Sequence, residues 1–134
     1  MFKWDGTYSV GHEEMDKEHK QLFGLLDALE DYSQKNDSKF LERIILTLED
    51  YIKNHFRHEE ELLERAKYPQ LEEHKRQHQA FKVKLRDFRM AFERGDGQLP
   101  VVMSEYLKIW LANHILMSDK AYLPYLQKLN PKSL

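Results

Sequence analysis

The chain of 134 residues contains no cysteine. Disulfides are excluded, and so is every thiolate metal site; any metal held here must be held by nitrogen and oxygen donors. Glycine and proline are scarce, five and four residues, which favours long regular elements. A large charge imbalance is missing too. The formal net charge is −2 and no long basic run occurs, so there is no electrostatic basis for nucleic-acid binding or a polybasic membrane patch. No apolar run approaches the roughly 20 residues that span a bilayer. The N-terminus, Met1-Phe2-Lys3-Trp4-Asp5-Gly6, lacks a basic segment followed by an apolar one, so no secretory signal is expected. These absences predict a soluble, cytoplasmic protein with no nucleic-acid partner and no membrane insertion.

What is present is a core-forming composition, 41% hydrophobic and 12% aromatic, enough for one domain. Four segments repeat apolar residues at the alternating three-and-four spacing of a bundled helix. They are Met15, His19, Leu22, Leu26, Leu29; Leu41, Ile45, Leu48, Ile52, His55, Glu59, Leu62; Leu71, His74, His78, Phe81, Leu85, Phe88, Phe92; and Met103, Leu107, Trp110, His114, Met117. Asn36-Asp37-Ser38, Pro69 and Gly95-Asp96-Gly97 break the pattern, and Pro100 suits a first helical turn. Short connections favour antiparallel neighbours. The expected fold is all-α, an up-down-up-down antiparallel four-helix bundle. A single domain over 1–134 is expected, with an irregular arm at 1–12, the bundle at about 13–119, and a tail at 120–134 holding a short helix stopped by Pro131.

Five of the seven histidines occupy seam positions where a helix ordinarily buries leucine. They are His19, His55, His74, His78 and His114, and two carboxylates, Glu59 and Asp119, travel with them. Counting residues from each connection puts all seven within about one helical turn, some 5 Å, of a common level. His55 and Glu59, like His74 and His78, are i,i+4 pairs that share a helix face. Asp119 lies five residues after His114, roughly 140° off the face of a regular helix. It joins the cluster only if the fourth helix loosens there. Seven ligands exceed what one ion takes from protein, so two metals are the economical reading. Imidazole with carboxylate suits iron, although spacing alone leaves manganese and zinc open. No histidine has a glutamate three residues before it, which argues against a di-iron oxidase or ferroxidase site built on Glu-x-x-His.

The runs Asp16-Lys17-Glu18-His19, His55-Phe56-Arg57-His58-Glu59-Glu60, His74-Lys75-Arg76-Gln77-His78 and Trp110-Leu111-Ala112-Asn113-His114-Ile115, with Asp119, resemble the hemerythrin family, its bacterial single-domain form above all. The resemblance covers nearly the whole chain, with every ligand position in order and spacing. It implies a non-haem di-iron centre that binds O2 reversibly, serving oxygen carriage, storage or delivery in a bacterial cell. By that resemblance one iron is held by His74, His78 and His114, and the second by His19 and His55. Glu59 and Asp119 bridge them beside an oxo or hydroxo bridge, and the second iron keeps an open position for O2. Phe56, Trp110, Leu111 and Ile115 match the family's apolar O2 pocket, where a lack of acids favours binding over turnover. The expected activity is therefore not enzymatic. The expected state is a monomer whose protein recipient of O2 is unknown.

Other readings differ in class. An O2 or redox sensor is one, although sensors of this family usually carry a signalling domain that this chain lacks. A di-iron enzyme acting on peroxide or nitric oxide, an iron store, and a zinc-only structural bundle are the others. His12, in the arm, and His58, about 60° off the His55 direction, are left outside the site. Glu60, Glu61 and Glu64 read as a solvated face. Met117 is either core or the rim of the pocket, and Tyr122 either ordinary packing or a group that orients a ligand.

Overall fold

Each of the four seams becomes a helix. In a computed structural model that describes residues 3–35, 37–95 and 99–128, α1 runs Glu13–Lys35, α2 Ser38–Arg65, α3 Leu71–Glu93 and α4 Leu99–His114. The fourth helix continues through a π-helical turn, Ile115–Asp119, and a 3-10 turn, Lys120–Tyr122, into α5, Leu123–Gln127. Of the residues singled out as breakers, Asn36, Asp96, Gly97 and Pro131 lie outside those described.

The ends follow local chemistry. His12 Nδ1 accepts from the Met15 amide at the start of α1 (3.3 Å), and Asp37 Oδ1 accepts from the Phe40 amide at the start of α2 (3.3 Å). α2 closes with a Schellman arrangement: the Tyr68 amide donates to the Leu63 carbonyl and the Lys67 amide to the Glu64 carbonyl, at 3.0 and 3.1 Å. The left-handed residue it requires is Lys67, at φ 54°. Gly95, at φ 91°, takes the corresponding place after α3.

α1 packs on α2 and α4, α2 on α3, and α3 on α4, a ring in which each short connection joins neighbours. Antiparallel order then segregates the interior by chemistry. Leu22, Leu26, Leu29, Leu41, Ile45, Leu48, Leu85, Met103 and Leu107 are buried and fill one half. The seam histidines come early in α1 and α3 and late in α2 and α4, so all of them gather at the end of the α2–α3 connection. One seam assignment is corrected: Met117 is 77% exposed, because the π turn carries the helix face past it.

The arm and tail cover this polar end. The arm holds one 3-10 turn, Gly6–Tyr8. Asp16 ties it to α1 by accepting from the Val10 amide (2.8 Å) and the Ser9 hydroxyl (2.6 Å), and Val10 is wholly buried. Gly11 takes a φ of 72°, which side-chain-bearing residues rarely adopt, and a Cβ there would force the Leu123 side chain to shift. Lys120 Nζ donates to the Thr7 carbonyl (2.9 Å), joining tail to arm. Among the described residues no helix is long and apolar enough to cross a membrane.

Candidate metal centre

α1 contributes His19, α2 His55 and Glu59, α3 His74 and His78, and the end of α4 His114 and Asp119. Each is at most 6% exposed. Their donor atoms fall into two groups, each lying within 4.8 Å of one another: Glu59, His74, His78, His114 and Asp119 in one; His19, His55 and Glu59 in the other. All seven residues expected at the site are thus brought together.

Each carboxylate divides its two oxygens between the groups. Glu59 Oε1 is 2.8 Å from His74 Nε2 and 2.9 Å from His78 Nε2, while its Oε2 is 3.5 Å from His19 Nε2 and 3.8 Å from His55 Nε2. Asp119 Oδ1 lies 3.1 Å from His74 Nε2 and 3.0 Å from His114 Nε2, and its Oδ2 lies 3.3 Å from His19 Nε2. Five imidazoles present Nε2 to two carboxylates, three on one side and two on the other.

Asp119 gets there because the helix does loosen. Over Ile115–Asp119 the backbone adopts the π form, whose i→i+5 bonds return a residue five places on to the face of His114. The wider turn buries Ile115 and Asp119 and turns Met117 out, into the rim of a groove of about 480 Å³ lined also by Gln77, Trp110 and His114. Core packing, one of the two readings of Met117, is thereby excluded.

The electrostatics are those of a charged cluster in a dry interior. Burial alone lowers an imidazole, but hydrogen bonds and attraction from Asp119 and Glu59 outweigh it and push His19 and His74 up to about 10. His78 is raised likewise against burial, by Glu59 and Glu60. For Glu59, burial is outweighed by hydrogen bonds from His19, His74 and His78, and it is held well below the usual carboxylate range. Asp119 is held well below its own against burial and the Glu59 charge, chiefly by His114 and His19. Yet His19 Nε2, His78 Nε2, His114 Nε2 and both Asp119 oxygens make no well-aligned hydrogen bond, though all are buried. Buried polar atoms left that way are costly. Here they converge on shared space at ion-pair distance but out of line for hydrogen bonding, the arrangement a bound cation satisfies. Donor set and geometry both fit metal ions.

Three residues that hold this cluster escape a seam reading. Glu18 Oε1 accepts from His55 Nδ1 (2.7 Å), and Glu60 Oε2 accepts from His78 Nδ1 (2.7 Å). Carboxylates on the far nitrogen fix the tautomer and leave Nε2 free to ligate. Burial opposes a low value for Glu18, but the His55 hydrogen bond outweighs it and holds the carboxyl below its ordinary range. Glu60 is corrected from a solvated face to a histidine partner; it stands next to Glu59 and is only part-buried. The third, Tyr122, is fully buried and donates its hydroxyl to Glu59 Oε2 (2.9 Å), the orienting role and not mere packing. Burial and the nearby Glu59 and Asp119 charges keep its phenol protonated, well above the ordinary range.

The residues expected around the ligand pocket are apolar neighbours of the cluster. Phe56 stacks on His78 (centroids 3.7 Å, planes 3° apart) and lies 5.9 Å from the His55 ring, touching both histidine groups. Trp110 stacks on His114 (4.5 Å, 14°) and packs against Phe81. Leu111 and Ile115 are buried in α4 and its π turn. His58 stays outside, exposed, with Nδ1 3.3 Å from Glu18 Oε2, and His12 serves as the helix cap.

Comparison with known proteins points one way. The sequence profile of the "Hemerythrin HHE cation binding domain" family matches residues 10–126. A bacteriohemerythrin of Stenotrophomonas maltophilia is 30% identical over 122 residues, covering 91% of this chain and 79% of that protein. Myohemerythrin-1 of Phascolopsis gouldii is 31% identical over 122 residues, 90% of this chain and 91% of that one. Among solved structures, a wild-type hemerythrin crystal structure superposes with a TM-score of 0.85 at 25% identity, covering 94% of this chain and 98% of that chain.

Proposed function

This chain belongs to the hemerythrin family, and we propose that its buried cluster holds two iron ions and binds O2 reversibly, for carriage, storage or delivery of oxygen. The observation that carries this reading is the division of Glu59 and Asp119, oxygen by oxygen, between a three-histidine and a two-histidine set. In this reading His74, His78 and His114 would hold one ion and His19 and His55 the other, with Glu59 and Asp119 shared between them. The two-histidine side is one protein ligand short, so a small molecule binds there. Two ferrous ions held there would supply the electrons that dioxygen takes up on binding and gives back on release.

The chain's own residues account for reversibility. Phe56, Trp110, Leu111 and Ile115 bring no titratable group to the pocket, and a protonated oxygen species leaves an aqueous, acidic pocket more readily than a dry one. The phenol of Tyr122 keeps its proton and is already committed to Glu59 Oε2. Glu59 and Asp119 are held as anions, so neither is a proton donor at neutral pH. A site with no acid beside it serves binding better than turnover, and a non-enzymatic role follows.

The test is a visible spectrum of the reduced, iron-loaded protein under nitrogen, then air, then nitrogen again. About two irons per chain and a charge-transfer band that appears and disappears are expected. Zinc without iron in the purified protein, or steady consumption of peroxide or nitric oxide with a reductant and no reversible band, would overturn the proposal.

A further inference from the structure

The two halves of the cluster differ in how firmly their imidazoles are held. In the three-histidine group, His78 is fixed through Nδ1 by Glu60. There His114 is also stacked on Trp110, and the His74 ring is flanked by Tyr68 and Tyr122 at 6.4 and 5.8 Å. The two-histidine group has less. His19 Nδ1 is buried with no hydrogen-bond partner, so that imidazole is held only by its Nε2 contacts with the two carboxylates and by the His55 ring, edge-on at 4.8 Å. His55 alone of the two is anchored through its outer nitrogen, by the 2.7 Å hydrogen bond from its Nδ1 to Glu18 Oε1. Tyr51, one turn before His55 on α2, shares its hydroxyl between Gln21 Oε1 (2.5 Å) and the Glu18 backbone carbonyl (3.0 Å). The helix bearing His55 therefore grips the α1 backbone at the very residue whose carboxylate grips His55.

We infer that Glu18 is a positioning residue on which the two-histidine half of the site depends, holding His55 with Nε2 turned inward so that this half retains its ion. This rests on the two-metal reading above. Glu18 touches no ligand-binding space itself; it acts through His55 alone. Its second contact, Oε2 to the exposed His58 at 3.3 Å, is long and solvent-facing and adds little. Removing an outer partner of this kind typically weakens metal binding about 10- to 100-fold. In a site with three other well-held ligands such a loss is diluted, but where only two histidines serve it falls on one ion.

The test is anaerobic titration of the metal-free protein with Co(II) alone, read by calorimetry and by the visible absorption of the bound ion, with melting followed by circular dichroism. The parent should take up two ions. Glu18→Ala should bind the first with parental affinity and the second about 10- to 100-fold more weakly. Glu18→Leu keeps the packing without the acceptor and should show the same selective loss, which guards against a folding defect in the alanine variant. Glu18→Gln, whose amide oxygen still accepts from Nδ1, should restore most of the second site, and His58→Ala should change neither. Two ions at parental affinity in both Glu18→Ala and Glu18→Leu would overturn the role of Glu18 while leaving the two-metal reading intact. Equal weakening of both ions would also overturn it, since Glu18 would then act on the fold and not on His55. A parent that takes only one ion would overturn the two-metal reading and this inference together.

Discussion

His74 and His58 are both imidazoles at the cluster end of the bundle, and burial and partners separate them. His74 is buried with Nε2 against both carboxylates; His58 is 44% exposed and meets only the outer edge of Glu18. His74→Ala should therefore lose iron outright, while His58→Ala should keep both metal and O2 binding, as iron analysis and the visible spectrum will report. Iron loss in the His58 variant would show that the ligand set is wrong. A second contrast concerns serine. Ser104 is 1% exposed and its hydroxyl has no partner, so Ser104→Ala removes a desolvation cost and should stabilise the chain by about 1 kcal/mol in urea unfolding. The clustered histidines were legible at this scale because a histidine on an apolar seam is conspicuous. Glu18 and Glu60 were not, and for Tyr122 the sequence left packing and orienting a ligand both open. A glutamate beside a seam residue on a charged helix looks solvated, and only the neighbouring helix shows which imidazole it meets.

The helices were legible because a bundle helix writes its buried face as a period. The π turn was not visible as a pattern. It was required by the five-residue step from His114 to Asp119 if both were to face inward, and the backbone adopts it. Helix ends obey simpler rules, and one of them is broken. Lys67 occupies the left-handed position of the α2 cap at φ 54°, where glycine is usual and other residues are strained. Lys67→Gly should therefore raise stability by about 1 kcal/mol, visible as a higher melting temperature with metal content unchanged. A fall in stability would mean that the added freedom of the unfolded glycine outweighs the strain relieved.

For the molecule as a whole, the charged cluster couples folding to pH and, in the proposed reading, to metal. In the metal-free chain His19 and His74 are raised to about 10 from 6.5. Their stabilising contribution is complete below about pH 6.5 and is lost as the pH climbs toward 10. Glu59 and Asp119 are lowered from 4.5 and 3.8, so their contribution is present above those values and lost as the pH falls through the depressed ones. Melting of the metal-free protein should accordingly peak between about pH 5 and 6.5 and decline steeply on the alkaline side. Metal needs neutral imidazole, so loading near pH 8 should release about two protons per chain, countable with an indicator dye in weak buffer. A flat profile and no proton release would show that the histidines are neutral without metal. Removing the metal should also lower the melting temperature, because an ion that binds only the folded chain stabilises it. The residue pattern alone determined four amphipathic helices, their antiparallel order and seven histidine and carboxylate side chains at one level, because each is a matter of period and count along one chain. The tertiary structure decided which oxygen of each carboxylate faces which histidines, how Asp119 regains the interior, and which outer carboxylates hold the imidazoles. Those are relations between atoms on different helices, and spacing along the chain does not encode them.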